Sequence, residues 1–357
     1  MKPLSFVVIG SGWRSMFYAR IAKAYPDCFQ LSAMLCRSEE KAELIREQHA
    51  IHTTTSVKEC EELKPDFVVV AVNKASICQV TKEWAGKGFP VLCETPAAVE
   101  LADLQELWRL VQEDSCKIQV AEQYFRYAYY ESAIAVCRKG YLGNPYSVNL
   151  SAVHDYHAVS VIRRLLDIGY ENVKVYGKKY IYPVVETDSR YGVIEDGRVS
   201  QRDRVRLTFE FEGGKTAFYD FDGIQYHSRI RSRHVTVQGE RGELDGQVLR
   251  YVGEDHRARE AVMEMIPFDS GEGIREVRLR DEILYQNPFS EKCGLPEDET
   301  AIGTLMLGMR CYIEEGVEVY PLAEGLQDAY ISLLMKEAAE SGTVVESKSQ
   351  IWTNKTI

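Results

Sequence analysis

The sequence predicts an α/β protein in two parts: an N-terminal parallel sheet flanked by helices, then an α+β portion with an open, mainly antiparallel sheet. Three observations carry this expectation. The first third alternates short β-branched runs with helical stretches, as βαβ units do. A Gly-x-Gly turn directly follows the first run. Beyond about residue 120 the pattern becomes period-two alternation, followed by two long helical segments.

Phe6-Val7-Val8-Ile9 reads as the first strand, Leu31 to Cys36 as the second, Asp66 to Val72 as the third and Pro90 to Cys93 as the fourth, with Ile118 to Ala121 following. These runs are apolar enough to be covered on both faces, as parallel strands are. Met16 to Ala24 carries no internal Gly or Pro and reads as a helix; Leu101, Leu104, Leu107, Trp108 and Val111 form a helical stripe that packs on a sheet. A tyrosine-rich helix through Tyr127 and Ile134 stops at Lys139-Gly140, before a Gly143-Asn144-Pro145 turn. Val205, Leu207, Phe209 and Phe211 then alternate with Arg206, Thr208, Glu210 and Glu212, which gives a strand one apolar and one polar face. Phe218 to Phe221 and His234 to Val237 read alike, with a turn at Gly239 to Gly242. Two helices close the chain, one from near Pro296 to Gly316 and one from Pro321 to Gly342. The expected division is a dinucleotide-binding domain over 1–121 and a substrate-binding and oligomerisation domain over 122–357.

A length of 357 residues suits two domains at roughly 100 to 200 residues each. With 45% hydrophobic and 27% charged residues, the chain is too apolar to be disordered. Lys plus Arg number 43 against 54 Asp plus Glu, and the net charge of -11 disfavours nucleic acid or an anionic membrane as a partner of the whole surface. A small-molecule substrate is the expected partner. The nine cysteines (28, 36, 60, 78, 93, 116, 137, 293 and 311) are odd in number and scattered, without a C-x-x-C pair, which argues against a disulfide framework and a structural zinc site. His154 and His157 alone do not complete a metal site, so no metal is expected. The first apolar run ends at a glycine turn without a small-residue cleavage site, and no apolar stretch is long enough to span a bilayer, so a cytoplasmic location is expected.

Gly10-Ser11-Gly12-Trp13-Arg14-Ser15 joins the first strand to a helix. In a dinucleotide fold the first glycine makes the tight turn, the second admits the pyrophosphate and the third allows close helix packing; here Ser15 takes the third place. The pyrophosphate would sit on the helix N-terminus, where free N–H groups favour anions. The second strand ends Leu35-Cys36-Arg37-Ser38, without the acid that accepts from a ribose 2′-hydroxyl. Arg37 and Ser38 suit a 2′-phosphate, which favours NADP; NAD is the alternative, because Glu39 and Glu40 either start the next helix or face the ribose.

These features together resemble the Gfo/Idh/MocA oxidoreductases. The residues that carry the resemblance are the Gly10-x-Gly12 turn, the strand from Asp66 to Asn73, Gly88-Phe89-Pro90-Val91-Leu92-Cys93-Glu94-Thr95-Pro96, the Gly140 to Gly143 turn and His154-Asp155-Tyr156-His157. The resemblance implies a Rossmann parallel sheet followed by an α+β domain, NAD(P)-linked chemistry on a sugar, polyol or related carbonyl compound, and a homodimer or homotetramer formed through the open sheet. Asn73, Glu94, Thr95 and Pro96 would face the cofactor with Gly10, Gly12, Trp13 and Arg14. Two positions depart from the family pattern. Its signature is Glu-Lys-Pro, with the lysine working beside the nicotinamide, and here the middle residue is Thr95; an Asp usually stands four residues before the catalytic His, and here Val153 does.

His157 keeps its place. It lies in or just before the first turn of a helix, where the positive dipole end lowers an imidazole pKa, and a neutral imidazole serves as a general base. Tyr156, Asp155 and His154 are the candidates to replace the missing lysine. The competing reading makes residues 154 to 157 a polar cap with satisfied hydrogen bonds. Tyr124 and Arg126, after the Ile118 to Ala121 run, are secondary candidates for the substrate. His227, Arg229, Arg231 and Arg233 share one face if their segment is a strand. That face is either a salt-bridge lattice with Glu210 and Glu212, or a source of one or two arginines, Arg231 among them, for a substrate carboxylate or phosphate. The functional expectation is a hydride-transferring oxidoreductase; the alternative is a non-catalytic nucleotide-binding sensor on the same scaffold.

Overall fold

The computed structural model describes residues 2–189, 191–289 and 294–353. Six parallel strands build the first sheet: β1 (Leu4–Ile9), β2 (Phe29–Leu35), β3 (Thr53–Thr54), β4 (Phe67–Val70), β5 (Val91–Cys93) and β6 (Ile118–Val120), ordered β3-β2-β1-β4-β5-β6. The helices between them are α1 (Ser15–Ala24), α2 (Glu39–His49), α3 (Val57–Glu62), α4 (Ile77–Gly86) and α5 (Leu101–Glu113). Helices on both faces explain why Phe6, Val7, Val8 and all of β4 are fully buried. The strand order reverses between β1 and β4, and a crevice opens beyond the C-terminal ends of such strands.

After α6 (Ala128–Arg138), β7 (Pro145–Ser151) and α7 (Asp155–Leu166), strands dominate. They are β8 (Val173–Val185), the small β9 (Asp188–Ser189) and β10 (Gly192–Val193) hairpin, β11 (Val199–Phe211), β12 (Thr216–Asp222), β13 (His234–Gly239), β14 (Gly242–Asp245), β15 (Val248–Val252), β16 (Ala258–Pro267), β17 (Ile274–Leu279) and β18 (Glu282–Gln286). Then come α8 (Glu297–Glu315), α9 (Leu322–Ser341) and β19 (Val345–Glu346). The second sheet runs β18-β17-β16-β15-β14-β13-β7-β12-β11-β8-β19, antiparallel except where β7 meets β12. α6, α7 and α9 cover one face. Leu207, Phe209 and Phe211 point into that core while Arg206 and Glu210 stay exposed, as the period-two pattern predicts. Tyr180, Tyr182, Phe218 and Val262 are exposed on the sheet.

The C-terminal helices return to the first sheet. The Gln119 side-chain carbonyl on β6 accepts from the backbone N–H of Val319 (2.8 Å) and Tyr320 (3.0 Å), and Arg20 on α1 pairs with Glu299 on α8. A Cβ on Gly325 would lie 2.6 Å from Val120, so α9 approaches β6 as closely as a glycine permits. This long-range docking has no local sequence signal.

One predicted strand is absent. Residues 227 to 233 form a loop after a short 3₁₀ turn (Gly223–Tyr226) that Asp222 and Gln225 cap reciprocally. The Gln225 amide also donates to the carbonyls of Ser151 (3.3 Å) and Ser232 (2.8 Å), which pins both ends of the loop. His227, Arg229, Arg231 and Arg233 therefore do not line a strand face. The other expected strands are present within about two residues of their limits, except that β11 begins at Val199 and not at Val205. The eight described cysteines form no disulfides, and Cys293 lies outside the described residues. No described helix is long and apolar enough to cross a membrane.

Trp352 is fully buried near the chain end, and its indole N–H donates to Gln327 on α9 at 2.8 Å. Trp352→Ala should cost about 3–5 kcal/mol in urea unfolding. A loss below about 1 kcal/mol would mean that this segment does not anchor α9.

Candidate dinucleotide and catalytic site

Gly10 ends β1 with φ +118°, and a Cβ there would lie 2.3 Å from the Ala71 carbonyl oxygen, so the turn can close against the tip of β4 only with glycine. A Cβ on Gly12 would meet nothing within 4 Å, because this residue faces the crevice. Buried Ser15 donates to the Ala71 carbonyl at 3.4 Å, so its hydroxyl fastens α1 where a third glycine would merely pack. The crevice is a cleft of about 660 Å³ lined by Gly10, Gly12, Trp13, Arg14, Arg37 and Asn73 among others. These features fit a dinucleotide, with room for pyrophosphate beside the turn.

Ser38 plays a local part: its hydroxyl accepts from the Lys41 N–H at 3.3 Å as the cap of α2. Glu39 begins that helix and pairs with Arg46 at 3.2 Å. Asn73 accepts from the Ser76 N–H (3.1 Å) and hydroxyl (3.2 Å), shaping the entry to α4. Arg37 stays exposed at the end of β2 on the cleft wall.

The catalytic candidates gather at the start of α7. His157 is buried, and its Nδ1 lies 2.5 Å from Oε2 of Glu122, a fully enclosed residue just past β6. The other carboxyl oxygen of Glu122 accepts from the Tyr124 N–H at 2.9 Å. Around the His157 ring stand Tyr124 and Tyr156, each at 4.4 Å between centroids, and His154 at 4.9 Å. His154 Nδ1 lies 2.6 Å from the Tyr226 hydroxyl oxygen, which also accepts from the His154 backbone N–H at 3.1 Å.

Burial, ahead of the positive charge of Arg14, holds the His157 imidazole well below its usual range. The direction is the one expected for an imidazole in the first turn of a helix. Burial pushes the Glu122 carboxyl up to about 8. Both groups are thus kept neutral at neutral pH. Below about pH 8 a protonated Glu122 donates to Nδ1 and leaves Nε2–H as a donor. Above it the carboxylate accepts from Nδ1–H and the Nε2 lone pair is a base.

A second chain of contacts ties this pair to the dinucleotide turn. Arg14 lies between Glu94 (3.5 Å) and Asp298 (3.6 Å). Buried Glu94 accepts from the Tyr18 hydroxyl (2.7 Å) and the Thr95 N–H (3.2 Å), and the Tyr156 hydroxyl donates to the Thr95 carbonyl at 3.4 Å. Tyr127 donates to Asp298 at 2.8 Å. Pro96, Asp155 and Tyr156 help line a neighbouring cleft of about 330 Å³, where Lys74 also stands.

Not every expected residue joins this cluster. Arg126 turns to Glu131 (3.3 Å) on α6, and exposed Arg231 donates to the Ile230 carbonyl at 2.9 Å. Arg229 pairs with Asp188 at 2.8 Å, not with Glu210 or Glu212; Glu210 accepts from Tyr176 instead. Of that basic stretch Arg233 comes nearest the cluster, with its guanidinium 4.8 Å from the Tyr226 ring centroid. Sequence reasoning missed Glu122, Lys74, Tyr226 and Asp298. For the first two a signal existed: both lie within four residues of the C-terminal end of a parallel strand, where such sheets place functional groups.

Residues 4–122 match the family model for the Gfo/Idh/MocA oxidoreductases, described as an oxidoreductase family with an NAD-binding Rossmann fold. The match lies within the first sheet and its helices, the N-terminal third of the chain. Solved structures with the same fold extend over nearly the whole chain. An oxidoreductase from Agrobacterium radiobacter in complex with NAD+, L-tartaric acid and magnesium superposes with a TM-score of 0.69 at 14% identity, covering 96% of this chain and 98% of its own. An NAD-binding oxidoreductase from Klebsiella pneumoniae gives 0.69 at 17% identity, with 98% and 100% covered. Aldose-aldose oxidoreductase from Caulobacter crescentus, complexed with glycerol, gives 0.64 at 18% identity, with 97% and 100% covered. Comparison with curated proteins gives no match.

The two turn glycines should separate in experiment. Gly10→Ala, which clashes with Ala71, should lower the unfolding midpoint clearly. Gly12→Val should fold with a nearly unchanged midpoint and lose at least about tenfold in dinucleotide affinity by calorimetry. Unchanged affinity in Gly12→Val would place the nucleotide elsewhere.

Proposed function

We propose that the protein is an NAD(P)-dependent oxidoreductase that moves hydride between a nicotinamide and a small hydroxy or carbonyl compound of the sugar or polyol class, with NADP preferred. The observation that carries this reading is the buried Glu122–His157 pair beside a dinucleotide cleft. An enclosed acid and base held at 2.5 Å are costly to keep for a nucleotide sensor, and proton transfer uses them. The non-catalytic alternative rests on Thr95 and Val153, of which Val153 is buried in the core.

The Gly10 to Ser15 turn would hold the pyrophosphate and Arg37 the 2′-phosphate. A bound nicotinamide supplies the site that accepts or returns hydride. In oxidation, the substrate carbon loses hydride, its hydroxyl proton passes to His157 Nε2, and the C–O bond becomes a carbonyl. Glu122 holds the imidazole through Nδ1 and stabilises the charge it gains. In reduction the same proton returns from Nε2–H. Tyr124, Tyr156 and His154 wall the ring and exclude water from it. The exposed face carrying Tyr180, Tyr182, Phe218 and Val262 suits pairing of two copies, and a cytoplasmic setting suits the cofactor.

Oxidation over a panel of sugars and polyols should show kcat/KM rising with pH through about 8 as Glu122 loses its proton, with reduction following the opposite slope. His157→Ala should reduce turnover about 100- to 10,000-fold; Glu122→Gln should remove the pH step. Full turnover in His157→Ala would sink the mechanism. Arg37→Glu should weaken NADP binding at least about tenfold while sparing NAD, and an equal loss for both would contradict the 2′-phosphate assignment.

A further inference from the structure

Lys74 directly follows Asn73 at the tip of β4. Asn73 lines the dinucleotide cleft and Lys74 lines the neighbouring cleft with Pro96, Asp155 and Tyr156, so this residue stands where the two spaces meet. Its ammonium lies 5.4 Å from the centroid of the Tyr156 ring, and that ring is 4.4 Å from His157. Among the described residues Lys74 has no carboxylate within ion-pair distance and no hydrogen-bond partner. Arg14, whose charge also reaches His157, differs in this respect, because it is held between Glu94 and Asp298. The charge of Lys74 is felt by both His154 and His157, whose imidazoles it helps to hold down.

We propose that Lys74 is the catalytic cation of the site, donating a hydrogen bond to the reacting oxygen of the substrate. The inference rests on the oxidoreductase reading. As the hydroxyl proton passes to His157 and hydride leaves the carbon, negative charge grows on that oxygen; the ammonium stabilises it and keeps its own three protons. In reduction the same contact polarises the carbonyl. Thr95, next to Pro96 of that cleft, has no charge to offer, and the four-carbon stem of lysine gives an ammonium on the turn between β4 and α4 a long reach.

The test compares wild type, Lys74→Met and Lys74→Arg, each loaded with NADP+, on the polyol or sugar that wild type oxidises. Lys74→Met should lose about 100-fold in kcat with dinucleotide affinity unchanged, and Lys74→Arg should recover part of the loss. Imidazole titration by NMR should show His154 and His157 taking up protons at higher pH in Lys74→Met than in wild type. A kcat for Lys74→Met within about threefold of wild type, a loss confined to KM, or loss of dinucleotide binding overturns the assignment. If wild type turns over nothing in the panel, the oxidoreductase reading fails. The NMR arm then still decides the placement of Lys74, and unchanged histidine titration refutes it.

Discussion

The hydrogen bond between Glu122 and His157 is the constraint on which the site depends. It joins the end of the first sheet to the first turn of α7, so it spans the two parts of the chain at the point where their spaces meet. Both partners are removed from water, and an unpaired charge there would be expensive. The bond therefore works only if the surrounding contacts fix the approach. Those contacts are the Tyr124 N–H on the second oxygen of Glu122, the Tyr156 hydroxyl on the Thr95 carbonyl, and the Tyr226 hydroxyl at His154.

The dinucleotide side is arranged by a different economy. Gly10 is required by the carbonyl of Ala71, whereas a Cβ on Gly12 would meet only the open space of the cleft. Arg14 links the two sides, because it belongs to the glycine turn and lies between Glu94 and Asp298. A change in nucleotide contact at the turn would thus be felt at the Glu-Thr-Pro segment and at α8.

Much of this was legible in the sequence because it is written in local pattern. The β-branched runs gave the parallel strands, the alternation from Val205 to Phe211 gave a half-buried strand, and the glycine turn gave the crevice. Arg37, Glu94, Tyr156 and His157 became candidates because each sits beside such a motif. What stayed hidden depends on chain-distant packing. Glu122 became notable only when α7 placed His157 against it, and Tyr226 only when a 3₁₀ turn brought it to His154. The basic stretch at 227 to 233 misled for the converse reason: an alternating pattern of side chains was overruled by Gln225, whose amide fastens the segment as a loop.

The central claim is that burial keeps Glu122 protonated at neutral pH and that it becomes the carboxylate partner of His157 only on the alkaline side. Infrared difference spectroscopy of wild type against Glu122→Gln tests this directly through the carboxyl stretch of one residue. The account predicts a protonated-carboxyl band at neutral pH that disappears with a midpoint of about 8. A carboxylate band already present well below neutral pH would contradict it.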